Sequence, residues 1–152
     1  MYQIINVKDY SGGLEVAARY IHNKWGNKEN YMFFFDAISN SSNDIKGLPR
    51  FYLMLKDKEI VGCCSLIVND FISRHDLMPW FASLYIKEQE RGNRLSQKFF
   101  DHAKSEALNA GFNIIYLTTG HDGLYEKFGW ERIEDGYDPH GNKTRIYKLS
   151  TT

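Results

Sequence analysis

The sequence predicts an α/β sandwich, one domain with a largely antiparallel sheet. Apolar residues recur at helical spacing in some stretches and fall into short strand-like runs in others. The resulting element order is β-α-α-β-β-β-α-β-α-β-β, with hairpin signals joining neighbouring strands. A length of 152 residues suits a single domain with room for a real core, and no internal repeat, low-complexity tract or linker divides it.

Each element has a local reason. Residues 2 to 6 read as a short first strand. Leu14, Ala17, Ala18, Ile21 and Trp25 repeat at helical spacing, and Gly26 supplies a stop. A second, more aromatic helix starts near Asn30, carries Tyr31, Phe34, Phe35 and Ile38, and ends in the polar run from Ser39 to Asp44. Phe33, Phe34 and Phe35 cannot all face one side of a helix, so one of them is expected to be exposed unless the core takes it. Residues 51 to 56 and 59 to 68 are strands around the Asp57-Lys58 turn. The loop from Asn69 to Pro79 is polar and holds Asp70, Arg74, His75 and Asp76. Trp80 to Ile86 is nearly all apolar, which marks a central strand.

Leu95, Phe99, Ala103, Ala107 and Ala110 form one stripe of a long helix closed by Gly111, with Lys104 and Glu106 on its solvated face. The small residues of that stripe let the helix lie close to a sheet. Phe112 to Leu117 is another buried strand. Asp122 is placed to cap a short helix over Gly123 to Phe128, which Gly129 ends. Trp130 to Ile133 and Thr144 to Leu149 are final strands around the turn-rich segment Asp138 to Asn142.

Composition narrows the function classes. The hydrophobic fraction is 43% and the charged fraction 25%, ordinary values for a soluble globular protein. The aromatic share of 15% is high and implies a bulky core, a large apolar pocket, or both. Nineteen acidic and nineteen basic residues cancel, and no block of like charge favours nonspecific nucleic-acid binding. The first ten residues lack the basic start and apolar run of a signal peptide, and no segment approaches the roughly 20 apolar residues of a membrane span. Cys63 and Cys64 are adjacent on a strand, so they point to opposite faces, do not bond each other and supply no metal site alone. Neither has an evident thiolate-stabilising partner. A cytoplasmic, reduced protein without a metal is expected.

The most telling stretch is residues 84 to 100, LYIKEQERGNRLSQKFF. A strand here runs through the basic, glycine-containing turn Arg91-Gly92-Asn93-Arg94 into a helix. The first N–H groups of that helix lack intrahelical partners and the helix dipole is positive there, so the turn predicts a site for phosphate or pyrophosphate.

Three motifs in order make the chain resemble the GCN5-related N-acetyltransferase (GNAT) family over essentially its whole length. The strand PWFASLYI is similar to the family's fourth strand. Arg91 to Ser96, RGNRLS, resembles its pyrophosphate loop, Gln/Arg-x-x-Gly-x-Gly/Ala. Leu124 to Trp130, LYEKFGW, resembles its late aromatic-led helix ending in Gly-Trp. The resemblance implies a three-layer α-β-α sandwich around a mixed, largely antiparallel six- to seven-stranded sheet, with residues 1-152 as a single N-acetyltransferase domain. Two departures stand out. Arg94 takes a glycine position, in what reads as a first helical turn with negative φ, and Thr118 and His121 replace the asparagine and alanine often found before the late motif.

The resemblance further implies acetyl transfer from acetyl-CoA to a primary amine, leaving CoA as product. Leu84, Tyr85 and Ile86 would grip the pantetheine arm, with Arg91, Gly92, Asn93, Arg94, Leu95 and Ser96 around the pyrophosphate and Thr118 nearby. A strand N–H near Leu84 would stabilise the oxygen that gains charge, and Tyr125 would give a proton to the thiolate. His121 stands beside them. For deprotonating the amine the sequence leaves Asp70, His75, Asp76, His121 or a bound water open, because Trp80 occupies the strand position where some relatives carry a glutamate. Phe34, Arg74, His75, Asp76 and Trp80 are the candidate contacts to the acceptor. The acceptor is expected to be a small molecule of aminoglycoside, polyamine or amino-acid type, with a protein or peptide N-terminus ranked below these. A CoA-binding sensor or regulator without turnover is the alternative, and a nucleotide- or RNA-binding domain is disfavoured by the neutral charge. No nucleic-acid or membrane partner is expected, and a monomer or homodimer is.

Overall fold

The computed structural model describes residues 1–44 and 47–152. Its strands are β1 (Tyr2–Asn6), β2 (Arg50–Lys56), β3 (Glu59–Ile67), β4 (Trp80–Ile86), β5 (Ile114–Thr119), β6 (Glu131–Tyr137) and β7 (Lys143–Ser150). Its α-helices are α1 (Leu14–Trp25), α2 (Tyr31–Ser39) and α3 (Leu95–Asn109). The seven strands make one sheet in the order β1-β2-β3-β4-β5-β7-β6. Only the β4–β5 pairing is parallel, so the sheet is mixed and largely antiparallel.

The period-two alternation of strands sorts side chains onto two cores. Along β2, Phe51 and Leu53 face α1 and α2, where Ala17, Ala18, Ile21 and Ile38 are buried. Tyr52 and Met54 face α3, where Leu95, Phe99, Ala103 and Ala107 are buried. Cys63 and Cys64 divide between the same two cores, and both are free and buried. Burial pushes the Cys63 thiol up to about 12 and Cys64 well above its ordinary value, which disfavours either thiolate. Among the described residues no helix is long and apolar enough to cross a membrane.

Several elements differ from the sequence reading. β6 extends to Tyr137, well past Ile133, because Gly136 and Tyr137 pair with Thr144 and Lys143. Its polar residues hid it: this edge strand is mostly exposed, so its sequence lacks a clean apolar face. The short helix before it is a 3-10 turn, Tyr125–Phe128, that begins after Leu124 without any side-chain cap. Asp122 faces Arg145 at 3.9 Å instead of capping it. Glu106 is not simply solvated: its carboxylate accepts from Tyr52 Oη at 3.0 Å and pairs with the buried Arg50 at 3.3 Å. That pair ties α3 to β2, a long-range contact that helical spacing cannot reveal.

Candidate active site

A defect in the sheet makes the cleft. Cys63 pairs with Tyr85 and Ser65 with Ala82, so Ser83 and Leu84 together oppose Cys64 in a β-bulge. Ser83 holds φ at +58°, the left-handed region that favours glycine. The bulge bends β4 away from β5, and the two strands pair only at Trp80–Tyr116 before diverging. Among the described residues the β5-facing edge of β4 beyond that pair has no strand neighbour. Between the diverging strands lies a cleft of about 760 Å³ lined by Ser83, Leu84, Thr118, Gly120, His121 and Tyr125, among others.

β4 leads, through a 3-10 turn at Glu88–Glu90, to the turn at Arg91 to Arg94 that the sequence predicts as an anion site. Arg91 folds back, its Nε donating to Ile86 O at 2.8 Å and its guanidinium lying over the Tyr85 ring. Asn93 Nδ2 donates to Glu90 O at 2.9 Å, and the Glu90 carboxylate accepts from Tyr2 Oη and pairs with Lys56. These contacts pin the turn to the β1–β2 edge. Gly92 has φ at +92° with open space where a Cβ would project, which leaves its backbone approachable. α3 begins at Leu95 with no side chain capping it, so its first N–H groups stay available.

Arg94 overturns one expectation. It is the residue before the helix, not in its first turn, and its φ is +57°. The position that the motif reserves for glycine is therefore left-handed here, and Arg94 occupies it at a cost of about 1–2 kcal/mol. Arg94 itself is exposed.

Across the cleft, Tyr125 is half-buried against Phe100, Trp130 and Tyr147. Burial raises its phenol above the ordinary value, which keeps the proton on at neutral pH. The His121 N–H donates to Thr119 Oγ1 at 3.1 Å, and Thr118 Oγ1 donates to Thr144 Oγ1 at 3.1 Å. Tyr85 turns to the α1 side against Tyr20, whereas Ile86 is buried on the α3 side.

The wall facing α2 differs from the sequence reading. Phe34 lines the cleft, and so do Trp25, Phe33, Asp70 and Phe71. Trp25, the last residue of the apolar repeat along α1, is 51% exposed because it ends that helix at the cleft mouth. Arg74, His75 and Asp76 do not line it. Arg74 is engaged elsewhere, bidentate to Asp76 at 3.0 Å and paired with Glu134 on β6. Trp80 is fully buried with Ile72 and Ile146, its Nε1 donating to Leu77 O at 2.7 Å. Of the possible proton acceptors, Asp70 and His121 reach the cleft, while His75 and Asp76 stay outside. The Ser83 bulge and Phe71 carry no sequence signal, since neither residue type announces a positive φ or a pocket.

A mixed, largely antiparallel sheet with a bulged fourth strand, followed by an uncapped helix start, agrees with the fold that the sequence resemblance implies. The chain belongs to the GNAT acetyltransferase family: the family model "Acetyltransferase (GNAT) domain" matches residues 48–132. No curated protein sequence matches significantly. Solved structures share the fold. An aminoglycoside 6'-N-acetyltransferase complexed with coenzyme A is 12% identical, with a TM-score of 0.72 over 99% of this chain and 97% of that one. A GNAT family acetyltransferase from Elizabethkingia anophelis with acetyl-CoA bound is 14% identical, at a TM-score of 0.65 over 98% and 97%. A spermidine N-acetyltransferase chimera from Vibrio cholerae and hSSAT is 14% identical, at 0.68 over 99% and 95%.

Proposed function

We propose that this single domain is a cytoplasmic N-acetyltransferase that moves an acetyl group from acetyl-CoA to the primary amine of a small molecule. The observation that carries the reading is the cleft itself, which brings the bulged Ser83–Leu84 backbone and Tyr125 together just ahead of the turn at Arg91 to Arg94. Acetyl-CoA supplies a thioester: the amine nitrogen bonds to the carbonyl carbon, the carbon–sulfur bond breaks, sulfur gains a proton and nitrogen loses one.

The residues present fit that donor. The approachable Gly92 backbone and the free N–H groups of Leu95 and Ser96 suit a pyrophosphate, with the exposed Arg94 adding charge. The unpaired edge of Leu84 to Ile86 suits a peptide-like arm. A bulge N–H at Leu84 stabilises the oxygen that gains charge, a role whose loss typically costs roughly 3–4 kcal/mol. Tyr125 holds the proton for sulfur. Asp70 and His121 are the cleft groups that receive the amine's proton directly or through water.

Thermal-shift measurements test the donor: acetyl-CoA and CoA are expected to stabilise the protein, and ATP and RNA are not. Thiol release with an amine panel then tests turnover. Stabilisation by CoA without thiol release for any amine would instead support a CoA-binding sensor.

A further inference from the structure

The acceptor half of the cleft is mostly carbon. Trp25, Phe33, Phe34, Phe51, Val68 and Phe71 line it. Phe33 from α2 and Phe71 from the loop before β4 meet across its mouth, ring centroids 6.2 Å apart, with both residues 60% exposed. Exposed rings held against each other at a cavity mouth offer a surface for a flat apolar group.

Within that carbon stands one carboxylate. The titratable side chains lining the cleft are Asp70, His121 and Tyr125, and no lysine or arginine is among the described lining residues. No described residue hydrogen-bonds or ion-pairs with the Asp70 carboxylate, and burial alone pushes it up to about 6. A partly buried, unpartnered carboxylate is unfavourable until a cation meets it. The nearby rings favour the same charge through their π faces.

We propose that the acceptor is an amine with a single positive charge on an apolar, ring-sized body, Asp70 holding the ammonium and Phe33, Phe71 and Trp25 the body. Polyamines and aminoglycosides carry several ammonium groups, and all but one would face carbon here. An amino acid would bring a carboxylate into a wall with no lysine or arginine to receive it. The selectivity rests on the acetyltransferase reading and narrows it.

A matched amine set tests the proposal: 2-phenylethylamine, L-phenylalanine, which adds a carboxylate to that skeleton, spermidine and kanamycin. Thiol release gives kcat and KM, and calorimetry on the full chain gives amine binding with and without CoA. 2-Phenylethylamine is expected to exceed the other three in kcat/KM by 10-fold or more. Asp70→Asn is expected to weaken its binding at least 10-fold while leaving CoA affinity unchanged, with Asp70→Glu recovering part of the loss. Phe71→Ala is expected to raise its KM several-fold. Preference for spermidine, kanamycin or L-phenylalanine, or unchanged 2-phenylethylamine binding in Asp70→Asn, overturns the proposal. If acetyl-CoA neither binds nor turns over with any amine, the acetyltransferase reading itself fails. If CoA binds but no amine turns over, the calorimetric comparison of wild type with Asp70→Asn still decides whether Asp70 recognises the amine.

Discussion

The two halves of the cleft are built from different material. The half proposed to hold the donor is mostly backbone: the bulge at Ser83–Leu84, the unpaired edge of β4, and the free N–H groups that open α3. The half proposed to take the acceptor is side chains drawn from distant segments, with Trp25 ending α1, Phe33 and Phe34 on α2, and Asp70 and Phe71 in the loop before β4. Backbone recognition tolerates sequence change so long as φ and ψ survive, which even lets an arginine stand in for glycine at position 94. Side-chain recognition does not, since one substitution changes the charge or shape of the wall. The donor half should therefore be common to many acceptors, and the acceptor half particular to this protein.

The largest expected effect lies where the halves meet. Tyr125→Phe keeps the ring packing against Phe100 and Trp130 but removes the proposed acid, so kcat should fall about 100-fold or more at neutral pH, with amine and CoA affinity nearly unchanged. Steady-state kinetics and CoA calorimetry on the same variant check this, and an unaltered kcat across pH removes Tyr125 from the chemistry.

In the acceptor half, Asp70 links function to stability. Its folded value, about 6, lies above the ordinary 3.8, so the folded state holds the proton more tightly than the unfolded chain. Unfolding free energy contributed by this group then falls as pH rises from about 4 to 6 and stays low above that. At about 1.36 kcal/mol per unit, Asp70→Asn should stabilise the protein by about 2–3 kcal/mol at pH 7 and by almost nothing at pH 3. Denaturant unfolding of both proteins at the two pH values tests the sign; destabilisation at pH 7 would show that Asp70 is paired in the folded protein.

Beneath the donor half, a Cβ on Gly62 would sit 2.8 Å from Tyr85 O and 3.1 Å from a Phe99 carbon. Gly62→Ala should thus destabilise by about 1–3 kcal/mol and loosen CoA, because β3, β4 and α3 meet there. Paired unfolding and CoA-binding measurements would contradict this if neither moved. The smallest effect belongs to the turn. Arg94→Gly relieves the left-handed strain but adds unfolded-state freedom, leaving a net gain of about 0.5–1 kcal/mol. That is roughly 2–4 °C in Tm per kcal/mol for a chain of this size. CoA affinity should fall in the same variant, with weaker salt dependence than wild type; a variant that loses stability would show that Arg94 is held by contacts rather than strained.

Sequence reading succeeded where one segment carries the whole signal. Trp80 to Ile86 is a strand as its apolar run indicates, and the helical stripe from Leu95 to Ala107 is buried as its spacing requires. The reading of Arg74, His75 and Asp76 as acceptor contacts did not survive as placement, because Arg74 is drawn outward by Glu134, a residue 60 positions later. Trp80 went inward because β4 is central there and its indole finds Leu77 O locally.

The sequence by itself determined the element order, the turn with its free helix start, and the family resemblance, since all depend on neighbours a few residues apart. Tertiary structure alone decided the rest. The bulge that gives Ser83 a positive φ depends on its register against Cys64, the cleft on how far β4 and β5 diverge, and the aromatic mouth on α1, α2 and a loop converging from separate parts of the chain. Register and convergence are set by long-range packing, which period and propensity do not encode.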